Sequence, residues 1–202
     1  MMSAQHKQII VSLAVTLLLS IEITEARNIS HDGVDTAKKG KSCVSVSTNI
    51  TIKARPALVW LSIQEARIAD PSLSSCKVLI EGDNSSTIRE TFAIPFLGEA
   101  TCTLALLELP LSSISYTLTE SDTFKTFEGS WLLAPCAGSH ATRLTLSCNS
   151  DMKKPVPQML LRMITAKKIG KRLDFVKSLA ERKETQMQIT EKLLIVKAIS
   201  HP

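Results

Sequence analysis

The period of the hydrophobic pattern changes once, late in the chain, and that change limits the fold more than any other feature. Between Cys43 and Asn149 most of the 202-residue chain alternates apolar and polar residues in short runs. After Pro155 and Pro157 the recurrence lengthens to every three or four residues. A period of two belongs to a half-buried strand, and a period near 3.6 to an amphipathic helix. The first run, 43–54, sets Val44, Val46, Thr48, Ile50 and Ile52 on one face. Arg55-Pro56 ends it, and proline suits the first turn of a helix, so ALVWLSIQEARIA reads as a short helix. Asp70-Pro71-Ser72 reads as a second short helix or turn. Six further strands follow at 77–81, 87–96, 101–108, 113–121, 124–134 and 141–149, separated by Gly, Pro and Asn turn signals.

Hairpin-linked strands in succession make an antiparallel sheet, and one face of such a sheet must be covered. The only element large enough is the terminal helix. Its recurring positions are Met159, Met163, Ala166, Gly170, Leu173, Val176 and Ala180, while Arg162, Lys167, Lys168, Lys171, Arg172 and Lys177 are assigned to the opposite face. That cationic face reads as solvated, with peripheral contact to an anionic membrane as the alternative. Residues 183–202 read as a weaker helical extension. The expected class is therefore α+β: about seven antiparallel strands, curved around one long helix, with an apolar gap between them that suits a ligand.

Residues 1–26 form a separate object. A short polar start precedes the charge-free run Ile9–Ile21, and Thr24 and Ala26 supply small residues at a cut site. This is the layout of a secretory signal. Thirteen apolar residues fall short of the roughly 20 needed to span a bilayer. The expectation is export to a periplasmic or secreted location, with an uncleaved anchor at 9–21 as the alternative. Residues 27–42 are a polar lead-in, and residues 43–182 the domain proper. Asn28, Asn49 and Asn84 stand in N-x-S/T sequons, which matter only where exported proteins are glycosylated.

Several chemistries lack their residues. His6, His31, His140 and His201 are scattered, and no G-x-S-x-G, P-loop or G-x-G-x-x-G occurs. None of the five cysteines forms a C-x-x-C pair, so no metal site and no cofactor are expected. A net charge of +5 with one Tyr and two Trp gives no basic surface interleaved with stacking aromatics, and nucleic acid is not an expected partner.

Four passages carry a resemblance: ITIKARPALVWLSIQEA, ADPSLSSCKVLIEGDN, SDTFKTFEGSWLLAP and ATRLTLSCN. Together they are similar to the START-like, or SRPBCC, superfamily, in particular its polyketide cyclase/dehydratase and coenzyme Q-binding branch. The resemblance implies a helix-grip fold with a hydrophobic cavity and a lipid or quinone-like ligand, bound without catalysis by what reads as a monomer. The sheet would supply Phe92, Ile94, Leu104, Leu106, Tyr116, Leu118, Trp131 and Leu144 to its wall, and the helix Met159 and Met163. Trp131 reads first as plain core, with ligand contact as the overlapping alternative. An enzyme of the cyclase/aromatase class is the alternative, with Glu90 or Tyr116 as proton donor. Glu90 would point inward as an acid or base, with an outward bulge or pairing with a cation as the commoner reading. An envelope interaction domain without ligand is the third reading. In this fold the first and last strands are neighbours, which makes Cys43 and Cys148 the candidate disulfide.

Overall fold

A computed structural model describes residues 43–199. The signal, anchor and lead-in expectations fall outside the described residues. The described chain runs β1 (Val44–Ile52), α1 (Pro56–Ala69), β2 (Ser75–Glu81), β3 (Ser85–Ile94), β4 (Gly98–Leu109), β5 (Ser113–Ser121), β6 (Phe124–Pro135), β7 (Thr142–Met152) and α2 (Gln158–Ile199). The seven strands form one curved antiparallel sheet in the order β1-β7-β6-β5-β4-β3-β2, so the first strand lies beside the last. α1 and α2 cover its concave face, and the core lies between them, with Ile52, Val59, Ile88, Ile114, Leu144, Leu173 and Val176 almost fully buried.

One helix follows β1. α1 begins with Pro56 at its first turn and buries Leu58, Val59, Ser62, Ile63 and Ala66. The expected second helix is a turn. The Asp70 carboxylate accepts the Ser72 N–H at 2.8 Å, and the Leu73 N–H donates to the Asp70 carbonyl. Pro71 blocks continuation, because the residue before a proline is driven out of the helical region.

α2 is a single helix of 42 residues, and it does not break at 182. Glu184 is 3% exposed. It accepts the Arg55 backbone N–H at 3.0 Å and Arg55 Nε at 3.1 Å, just ahead of α1. Arg55 also pairs with Glu191, and Lys183 pairs with Glu65. Residues 183–191 thus clamp the first strand-helix junction and are part of the domain.

The phase of α2 over its first four turns differs from the sequence expectation. Met159 is 78% and Met163 62% exposed, and Ala166 is exposed as well. The inward stripe is Leu161, Thr165, Ile169, Leu173, Val176 and Ala180, flanked by half-buried Ile164, Lys168 and Arg172. Met159 and Met163 are therefore no part of a cavity wall, and Lys168 and Arg172 leave the cationic face. The candidate disulfide is absent as well. Cys148 is opposite Val46, and Val44 is opposite Ser150. Cys43 lies beyond Val44 with its side chain exposed, whereas Cys148 is buried, and both thiols are free. The two strands are neighbours as expected, but register and face separate the cysteines.

Candidate functional site

Arg172 projects from α2 between two carboxylates. Its Nε donates to Asp70 Oδ2 at 2.8 Å and its Nη2 to Glu90 Oε1 at 2.9 Å. Both carboxylate side chains are nearly sealed from solvent. Asp70 ends α1, and Glu90 sits on the inward face of β3 with Ile88 and Phe92. One guanidinium therefore ties the first helix, the sheet and the last helix together. Burial by itself would raise the Asp70 carboxyl. The hydrogen bonds from Ser72 and Arg172, with the Arg172 charge, outweigh it and hold Asp70 below the usual carboxylate range. Burial likewise opposes the Arg172 charge, but the two carboxylates overcome it and raise its pKa.

This triad divides the space under α2. Glu90, Tyr116 and Arg172 border two chambers, one on each side. The first is walled by Ile63, Ile88, Leu104, Leu106, Ile114, Trp131 and Val176, with Arg67 at its polar side. The second is walled on the sheet by Phe92, Ile94, Phe124, Phe127 and Leu146, and on α2 by Leu161, Ile164, Thr165, Lys168 and Ile169. Each opens partly to solvent. The cavity volume is about 40 Å³ in the first chamber and 60 Å³ in the second. Both are below the ~150 Å³ of an apolar cavity that accepts benzene, so a ring-sized guest enters only as the surrounding side chains part.

The aromatic wall of the second chamber is a packed cluster. Phe124 and Phe127 have ring centroids 5.0 Å apart, Phe92 lies 6.2 and 6.1 Å from them, and Tyr116 is 5.8 Å from Phe127. Such tilted pairs favour edge-to-face contact. Lys168 Nζ lies 4.0 Å over the Phe92 ring. Burial, then the neighbouring Arg172 charge, lowers its pKa to about 8 against the pull of Asp70, Glu90 and Cys102. Tyr116 donates its hydroxyl hydrogen to the Ser147 carbonyl at 2.9 Å, and burial raises its pKa. That bond depends on Gly129 opposite. A Cβ there would lie 2.0 Å from the Ser147 carbonyl oxygen and 2.5 Å from the Tyr116 hydroxyl.

No protein-family model and no curated protein matches the sequence. Solved structures do. The Zhui aromatase/cyclase from Streptomyces sp. R1128 superposes with a TM-score of 0.62 at 19% identity, covering 70% of this chain and 95% of that one. A Thermus thermophilus protein, TTHA0849, gives 0.61 at 15% identity, with 67% and 96% covered. A START superfamily protein from Mycobacterium smegmatis gives 0.55 at 19% identity, with 71% and 98% covered. The chain has the START-like, helix-grip fold.

Within this START-like frame the sequence-derived wall divides. Phe92 and Ile94 line the second chamber, Leu104, Leu106 and Trp131 the first, and Tyr116 both. Leu144 is fully buried in the core and Leu118 half-buried, and neither borders a chamber. Trp131 faces inward while Glu128 is exposed on the opposite face. Glu90 points inward and meets a cation. Asp70, Lys168, Arg172, Phe124 and Phe127 were not among the sequence candidates. The spacing of Lys168 and Arg172, four residues apart and beside the Leu161-Thr165-Ile169 stripe, was the available signal.

Proposed function

We propose that this START-like domain binds a small hydrophobic molecule of one or two rings without transforming it. The observation that carries this reading is the second chamber: an apolar, aromatic-walled void between sheet and helix, open to solvent, at the place where the fold leaves a gap. Its volume of about 60 Å³ is far too small for a diacyl lipid, and a ring compound enters by parting the side chains around it. A quinone head would enter in the same way, with any isoprenoid tail leaving through the mouth. The resemblance to an aromatase/cyclase supports a polycyclic or aromatic ligand class. Binding without chemistry is favoured over cyclase activity because both proton-donor candidates are committed: Glu90 to Arg172, and Tyr116 to a backbone carbonyl.

A two-ring ligand burying about 250 Å² gains about 6 kcal/mol at 25 cal/mol per Å². Association costs reduce this, so dissociation constants of about 100 μM to 1 mM are expected. Calorimetric titration with 2-naphthalenemethanol tests it. Saturable binding to the native chain, lost in Ile164→Trp with the circular dichroism unchanged, supports the reading. Failure of the native chain to bind this and other ring-sized apolar probes would end it.

A further inference from the structure

The helix side of the second chamber is polar where the sheet side is not. Thr165, Lys168 and Arg172 follow one another along α2 and border the void. Among the described residues Thr165 Oγ1 and Arg172 Nη1 have no hydrogen-bond partner, and no carboxylate lies within 4 Å of Lys168 Nζ. The Lys168 ammonium rests instead against the Phe92 ring. Three donors therefore face an apolar wall across that void. Donors that meet solvent rather than a protein acceptor beside an apolar wall are free to bond an acceptor carried in by a ligand.

We infer that the molecule held in the second chamber is an organic acid, with its ring system on Phe92, Phe124 and Phe127 and its carboxylate on Lys168 and Thr165. This rests on the binding reading above and specifies its ligand class. The charged and titratable groups facing Lys168 are Arg172 from the same helix, Asp70 after α1, Glu90 from β3 and Cys102 from β4; Tyr116 and Cys148 share the chamber wall. Asp70 and Glu90 are bonded to Arg172, and that trio carries one net negative charge. Protonated Lys168 brings the four groups to neutrality. An entering carboxylate needs the Lys168 proton in place, and because that lysine titrates near 8 in the free protein, the acid must draw a proton with it at that pH.

The test compares 2-naphthoate with 2-naphthalenemethanol, which share a ring system and differ in charge. Titrations at pH 8 in two buffers of different ionisation enthalpy measure proton uptake. The native chain is expected to bind naphthoate about tenfold more tightly than the alcohol, taking up about half a proton per naphthoate and none with the alcohol. Naphthoate affinity should hold below pH 8 and fall about tenfold per unit well above it. Lys168→Met should lose the tenfold preference and the proton uptake while still binding the alcohol. Lys168→Arg should keep the preference without uptake. If both compounds bind equally and no proton moves, the acid-head inference is wrong and the apolar chamber stands. If neither binds, the chamber reading fails first and takes the inference with it.

Discussion

Arg172→Met isolates the electrostatic centre of the fold. The native side chain makes two charge-assisted bonds, at 2.8 and 2.9 Å, to carboxylates whose side chains are 3% and 4% exposed. Methionine has similar length and no charge, so the variant leaves Asp70 and Glu90 buried without a cation in contact. Removing one partner of a buried ion pair costs about 3–5 kcal/mol, most of it the penalty of the stranded charge. With a urea slope of about 1–3 kcal/mol per molar, the midpoint should fall by roughly 2 M at pH 7. The deficit should depend on pH with a defined sign. In the native chain Asp70 has a lowered pKa, so its contribution is complete above its unfolded value and is lost as pH falls through the folded one. In the variant Asp70 loses the Arg172 bond and charge that hold its pKa down against burial and gains its proton earlier, so the deficit should shrink between pH 7 and pH 4. Replacing the set with Asp70→Asn, Glu90→Leu and Arg172→Met together should recover most of that loss, since apolar replacement of a buried triad strands no charge. Urea unfolding followed by far-ultraviolet circular dichroism at pH 7, 5.5 and 4 measures all three. A single variant within about 1 kcal/mol of native at pH 7, or a deficit that ignores pH, would refute the reasoning.

Two further outcomes follow from backbone geometry. Gly129→Ala places a methyl group 2.0 Å from the Ser147 carbonyl oxygen, and overpacking plus loss of the Tyr116 bond should cost about 3 kcal/mol; in a Tyr116→Phe background the cost should fall by about 1 kcal/mol, measured as a double-mutant cycle in urea. Phe96 has φ of 68° at the β3–β4 turn and is 94% exposed, so Phe96→Gly should be about 1 kcal/mol more stable than Phe96→Ala, which keeps the left-handed penalty without the ring. Thermal unfolding should separate the two by about 2–4 °C.

Strands were legible because their inward and outward residues differ in kind. β5 falls at Ser113–Ser121, both ends as alternation places them, and β6 differs by one residue. Register was not legible. Alternation says which face Cys148 occupies but not that Val46 stands opposite it, since a slip of two residues leaves every face unchanged. The phase of α2 failed for a more informative reason. Reading a helix face from its apolar residues assumes that inward positions are apolar. Along the first four turns of α2 the inward and flanking positions include Thr165, Lys168 and Arg172, while exposed positions hold Met159, Met163 and Ala166. The apolar pattern therefore pointed about half a turn away from the core until Leu173, beyond which Val176 and Ala180 restore agreement. A stretch built only for stability would not put a lysine and an arginine under a sheet, because each buried charge costs several kcal/mol before it is compensated. Local rules break where a site imposes other demands. The segment of α2 that misled the pattern is the segment that walls the second chamber and carries the divider between the two. The misplaced phase and the proposed ligand site are one feature: a fault in periodicity where three donors face an aromatic wall.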